Sequence, residues 1–253
     1  MSQCSHHAVS AALLATALLL LATSVSTARA QYETENEKKF SYVRGAKNGP
    51  EHWGEINENW TKCGTGDMQS PIDLSDKRVK LVRSLGYLNH SYRPAEASIV
   101  NRGHDIMVKF ESDAGDQRHG IQPPPDTLAL AQRAHSQRSP VGNPDEFLRK
   151  LEPFLKLIAD RKDEKPEPIG VVDPRDARGK ANAYYRYMGS LTTPPCTEGV
   201  IWTLVTEVRS VSKHQLQLLR DAVHDGMEDN ARPLQELNNR NISLFKPYPL
   251  KYN

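Results

Sequence analysis

The stretch Tyr184-Tyr185-Arg186-Tyr187-Met188-Gly189-Ser190-Leu191-Thr192-Thr193-Pro194-Pro195-Cys196-Thr197-Glu198 decides the fold. Its aromatic first half predicts a strand through Met188, and the threonine–proline cluster predicts a turn. Val200–Arg209 then predicts a second strand. Taken alone, Thr192-Thr193 reads as an ordinary turn before Pro194. Outward from this unit, Ser98–Glu111 predicts two short strands around Asn101-Arg102-Gly103. There Ile106, Val108 and Phe110 alternate with Met107 and Lys109, the period of a half-buried strand. Glu146–Arg161 changes to helical spacing, with Phe147, Leu148, Leu151, Phe154, Leu155 and Ile158 on one face and a bend expected at Pro153. Ser212 predicts an N-cap for a helix carrying Leu216, Leu219 and Val223. Gln31–Phe40 reads as a loose arm, Lys47–Trp60 as irregular surface structure, and Asn230–Asn253 as a tail over the surface. No internal repeat and no linker marks a second domain.

Ala11–Val25 is an apolar run too short to span a membrane, and Ala28-Arg29-Ala30 is a cleavage pattern. Residues 1–30 therefore read as a secretory signal and residues 31–253 as one domain. Mixed charges and a formal net charge of +2 give no basic patch for nucleic acid. No second apolar run approaches membrane length, so the mature form is expected to have neither a nucleic-acid nor a membrane partner. Once Cys4 leaves with the signal, Cys63 and Cys196 remain, either as a disulfide suited to an oxidising compartment or as two buried thiols. Asn59-Trp60-Thr61, Asn89-His90-Ser91 and Asn241-Ile242-Ser243 are candidate glycosylation sequons. The expected destination is the extracellular space or apoplast, with a plastid reached by the secretory route as the alternative.

Four blocks in order carry a family resemblance: Asn48-Gly49-Pro50-Glu51-His52-Trp53, Gln69-Ser70-Pro71-Ile72-Asp73, the 184–198 stretch, and Arg232-Pro233-Leu234-Gln235. Together they resemble the α-carbonic anhydrases, in particular the secreted plant type, from about Phe40 to Phe245. The resemblance implies a mainly β (α+β) fold: a single domain on a large twisted, mostly antiparallel sheet with short peripheral helices. It also implies a zinc cofactor and CO2 or bicarbonate as the small-molecule substrate. By resemblance, Thr192 aligns with the threonine that orients the zinc-bound hydroxide, and Thr193 with its substrate-side neighbour. Leu191, Val200 and Trp202 align with the apolar CO2 pocket, His104 with the proton shuttle, and Cys63 and Cys196 with the disulfide of secreted members. Outside the family, His104 reads as a surface strand histidine.

The family's zinc ligands are missing from this sequence. The seven histidines after residue 30 are His52, His90, His104, His119, His135, His214 and His224, and no two stand at i and i+2. Where the ligand strand should follow Phe110, the chain has Pro123-Pro124-Pro125, which cannot donate to a central sheet ladder. Residues 117–142 thus read as an aberrant segment that disrupts the central strands. With suitable codons, Asp126–Ser139 shifted by one nucleotide encodes IHWHSPSEHTVNG, which resembles the family's zinc-ligand strand. The expectation is a frameshift or mis-splice that begins before about Gln117 and is corrected by a deletion near Pro140-Val141. His135 is then an out-of-frame by-product, no tight zinc is expected, and the chain is expected to be inactive. The alternative is a genuine non-catalytic storage or binding protein.

Overall fold

Strand alternation and two capped helices set the architecture of the computed structural model, which describes residues 39–74, 77–89, 92–103, 105–110, 127–129, 141–159, 161, 165–178, 181–223 and 229–248. In chain order these form α1 (Trp53–Ile56), α2 (Lys62–Thr65), β1 (Val79–Leu81), β2 (Ala95–Asn101), β3 (Ile106–Phe110), β4 (Thr127–Ala129), α3 (Glu146–Ile158), β5 (Glu167–Val172), α4 (Pro174–Arg178), β6 (Tyr184–Ser190), β7 (Glu198–Val205), α5 (Lys213–Ala222) and β8 (Ile242–Phe245). Single 3-10 turns stand at Glu58–Trp60 and Arg83–Leu85.

The strands make two four-stranded sheets, in the orders β1-β8-β6-β7 and β4-β3-β2-β5. The β1–β8 pair is parallel, and the other strand pairs are antiparallel. The fold is mainly β with few short helices, as the sequence implies. The single large sheet, however, is two sheets among the described residues, with β4 ending one and β7 ending the other.

The β2–β3 hairpin follows its alternation: Ile106, Val108 and Phe110 are buried, and Lys109 is exposed. Its turn is fixed by Gly103 N donating to Asn101 Oδ1 and Arg102 N donating to Asp105 O. Gly103 has φ +89, a conformation glycine takes without a Cβ penalty. α3 buries Phe147, Leu148, Leu151, Leu155 and Ile158 and continues through Pro153. Its N-cap Asp145 accepts from Leu148 N, and Ser212 and Gln215 form a capping box on α5.

Two side chains join these helices at both ends. Gln215 Oε1 accepts from Asp145 N at 2.8 Å, and Gln215 Nε2 donates to Asp145 O and Glu152 Oε1. At the other end Asn101 Nδ2 donates to Ile158 O and Ala222 O, carbonyls the helices leave unpaired. The helices therefore run side by side in the same direction. Their apolar faces join Trp53, Trp60, Ile99, Ile106 and Val108 in the larger core. A smaller core of Ile72, Tyr187, Leu237 and Ile242 lies against the β6–β7 sheet, with Trp202 and Leu204 packed on it.

Two expectations are corrected. The tail is structural: β8 pairs with β6 and β1, Ile242 is fully buried, and Arg232 and Leu237 are buried as well. Four residues, Ile-Ser-Leu-Phe, are too few for an alternation to register among prolines and asparagines. The Lys47–Trp60 region is irregular but not superficial, because Trp53 and Trp60 are core residues and Phe40 stacks edge-on against Trp53. Of the aberrant segment, Thr127–Ala129 pairs with Lys109–Met107, and Val141 makes a parallel bridge to Val211. The expected signal (residues 1–30), the triple proline and residues 130–140 lie outside the described residues.

Candidate functional site

The candidate site is the loop between β6 and β7. Leu191 N donates to Thr197 O and Cys196 N to Thr193 O, which closes the loop on itself. The Pro194–Pro195 bond is cis, and Cys196 has a positive φ of 56°. Cys196 is bonded to Cys63 with an S–S distance of 2.02 Å, so the resemblance identified the disulfide correctly.

The Met68–Pro71 segment clamps this loop from the side. Gln69 Nε2 donates to Cys196 O and to Glu198 Oε1, and Met68 N donates to Glu198 Oε1 at 2.6 Å. Ser70 and Ser190 exchange two bonds: Ser70 N donates to Ser190 Oγ, and Ser190 N donates to Ser70 Oγ. The approach is close enough to require Gly189, whose added Cβ would stand 2.2 Å from Ser70 Oγ and 2.9 Å from the Trp202 ring. Arg232 locks the clamp from below. Its Nη1 donates to Gln69 Oε1 and Ser70 O, and its Nη2 donates to Cys63 O. Burial pushes the Arg232 guanidinium down to about 10, so it stays charged at neutral pH. Burial raises the Tyr187 phenol, whose OH lies 3.3 Å from Ser70 Oγ. Burial also acts to raise the Glu198 carboxyl. The bonds from Gln69 and Met68, with the nearby charges of Lys62 and Arg240, outweigh it and hold Glu198 below the usual carboxylate range.

The predicted residues fall together here with one exception. Leu191 and Thr192 are half-buried in the loop, and Thr193 is 1% exposed. Thr193 Oγ1 has no hydrogen-bond partner among the described residues. Val200 and Trp202 lie on β7 opposite Gly189 and Tyr187, and therefore share one sheet face. Trp202 stacks on Tyr187 with centroids 6.4 Å apart, and its Nε1 donates to Ser190 O. His104 lies outside the described residues. The clamp of Gln69, Ser70, Glu198 and Arg232 draws on three separate family blocks. Its partners stand more than 100 residues apart, so no local pattern in the sequence marks it.

The described residues do not fit a zinc ion. Among them no group of three or more His, Cys, Asp or Glu is placed to hold a metal. His52 Nδ1 lies 3.0 Å from Glu55 Oε2 at the start of α1, and His214 Nε2 on α5 lies 3.8 Å from Glu152 Oε2 on α3, so each histidine meets a single carboxylate. Both cysteine sulfurs are taken by the disulfide. What the β6–β7 loop offers is a hydroxyl and an apolar wall, while the borderline-soft zinc ion prefers imidazole or thiolate.

The sequence model of eukaryotic-type carbonic anhydrases matches residues 48–132 and 142–246. The match thus includes residues 117–132 and breaks at 133–141. Alpha carbonic anhydrase 7 of Arabidopsis thaliana is 41% identical over 252 residues, covering 88% of this chain and 91% of that protein. Dioscorin DB3L of Dioscorea polystachya is 41% identical over 255 residues, covering 89% of this chain and 91% of that protein. Among solved structures, dioscorin complexed with ascorbate superposes with a TM-score of 0.71 at 35% identity, covering 84% of this chain and 99% of the other.

Proposed function

This chain belongs to the eukaryotic-type carbonic anhydrase family, and from that premise we propose that it is a secreted member which, as its sequence stands, neither holds zinc tightly nor hydrates CO2. The family reaction needs a zinc ion on three neutral imidazoles, which lowers the pKa of its bound water to about 7. The observation that carries the reading is the absence of any i, i+2 histidine pair among the seven histidines after residue 30. Thr192, Thr193, Leu191, Val200, Trp202 and His104 are the residues that would serve CO2 or bicarbonate if the metal were held. Without it they have no reaction to run.

The comparison lengths support an internal loss. An alignment over 252 residues occupies 88% of this 253-residue chain, about 223 residues. About 29 aligned positions therefore have no residue here. The break in the family match at 133–141 falls inside the suspect stretch. We read this as a slipped or mis-spliced message whose parent gene encodes an active zinc hydratase.

The test has two parts. Zinc is counted by mass spectrometry on the chain secreted from a eukaryotic host, and CO2 hydration is followed by stopped flow. The expected result is well under one zinc per chain and a rate equal to buffer; stoichiometric zinc with zinc-dependent hydration overturns the proposal. Sequencing the transcript across Phe110–Phe147 then separates the slipped message from a true metal-free protein.

A second reading, a binding or storage protein, draws on the dioscorin solved with ascorbate. Titration calorimetry of this chain with ascorbate tests it, and saturable heat would support it.

A further inference from the structure

β7 ends its sheet: among the described residues it pairs with β6 alone. It is eight residues long, Glu-Gly-Val-Ile-Trp-Thr-Leu-Val, and none of them is buried. Ile201 is 37% exposed. An end strand of this length and apolarity is uncommon, because sheets normally guard their edges with lysine, proline, a bulge, a charge pointing inward, or brevity. β4, which ends the other sheet, satisfies that rule with three residues. β7 has one such guard at its start, a bulge at Gly199 (φ +94) between the Ser190–Glu198 and Gly189–Val200 pairs, but the six residues beyond it, Val200–Val205, contain no charge and no proline. Its one charge, Glu198, stands at the strand's first position and is occupied by Met68 N and Gln69 Nε2.

The edge is also complementary to itself. Two copies of β7 laid antiparallel bring the two Glu198 carboxylates to opposite ends of the pair, so no like charges meet. A two-fold axis normal to the sheet keeps each face on its own side, so opposed residues share parity. With Ile201 opposite its own copy, Val200 faces Trp202. With Trp202 opposite its own copy, Val200 faces Leu204. In either register the Val200, Trp202 and Leu204 face continues across the seam. Trp202 and Leu204 already pack on the smaller core of Ile72, Tyr187, Leu237 and Ile242, so pairing would join the two small cores into one. Main-chain bonds of this kind supply affinity in strand addition, and side chains on alternate positions set the register.

We propose that a second copy of this chain pairs antiparallel along the open edge of β7, closing two four-stranded sheets into one eight-stranded sheet across a two-fold axis. The proposal stands on the sheet edge and does not depend on the catalytic reading.

The test is sedimentation velocity on the secreted full chain over a wide concentration range. Wild type is expected to show a concentration-dependent dimer. Ile201→Lys is expected to raise the dimer dissociation constant by about tenfold or more, through lost apolar contact and two lysines set near each other across the seam. Its circular dichroism should match wild type, and its thermal midpoint should match that of wild type at concentrations where wild type is monomeric, since position 201 is exposed in the single chain. An equal mixture of I201K and I201E should restore the dimer. A wild type that stays monomeric at the highest concentration overturns the proposal. So does a dimer that I201K leaves intact. A monomer whose β7 amides resist hydrogen exchange also overturns it, and means that the chain's own residues cover the edge. Zinc content and hydration measured on the same samples report on the functional proposal separately.

Discussion

Replacing Arg232 with methionine tests whether the clamp around the β6–β7 loop carries energy. Arg232 is 5% exposed and donates to Gln69 Oε1, Ser70 O and Cys63 O at 2.8, 3.0 and 2.9 Å. Methionine keeps the apolar stem and removes every donor. A buried acceptor left without a partner costs about 1–3 kcal/mol, so three of them cost about 6 kcal/mol. The guanidinium also lies 5.5 Å over the Trp53 ring, a contact worth about 1 kcal/mol. Against this stands the expense of burying a cation. Burial holds the guanidinium well below its usual range, at about 10, so the site disfavours the charge by about 3 kcal/mol, which methionine recovers. The net expected loss is about 4 kcal/mol, or about 10 °C in melting midpoint for a domain of this size. Guanidinium unfolding followed by tryptophan fluorescence, with the disulfide intact, measures it. Arg232→Lys should recover only part of the loss, because one ammonium cannot reach three acceptors set around a planar fork. A loss under about 1 kcal/mol for the methionine variant would refute the reasoning, and would mean that the disulfide alone positions the loop.

Three other outcomes follow from the same structure. Cys63→Ala with Cys196→Ala should lower stability by about 5 kcal/mol, the chain-entropy value for a bridge between residues 133 apart, measured by chemical unfolding without reductant. Gln215→Leu removes the bonds that tie the N-termini of α3 and α5, and should cost about 3 kcal/mol by thermal melting, while the exposed Gln217→Leu should cost little. Glu198 has a depressed folded pKa, so its contribution is present above the ordinary carboxylate range and is lost as pH falls through the lower folded value. Glu198→Gln should therefore reduce stability near neutrality and flatten the decline below about pH 4, read from unfolding curves taken at stepped pH.

The parts of the fold legible in the sequence are those where burial imprints a period. The β2–β3 hairpin, α3 and α5 are such elements, since each buries one face completely enough for Ile106/Val108/Phe110 or Leu151/Leu155/Ile158 to repeat. β1 and β5 escaped notice because neither has a buried residue, and β5 is half exposed along its length. The β6–β7 loop is marked in the sequence only by the family resemblance, which Leu191, Thr192, Thr193, Val200 and Trp202 carry because they lie in or beside one contiguous block; taken alone, Thr192-Thr193 reads as an ordinary turn. The clamp was not, because Gln69 meets Glu198 and Arg232 only after the chain has closed. A division into two sheets is likewise a property of pairing partners, and no single strand announces it.

The Cys63–Cys196 bond encloses everything from α2 to the candidate loop, including residues 111–140. One cut by a protease anywhere in that interval leaves two pieces that remain one molecule. Such a nicked chain runs at full size on a gel without reductant and separates into two bands only when the bond is reduced. The lifetime of such a nicked chain as a single particle is therefore set by the local thiol supply as much as by the proteases it meets.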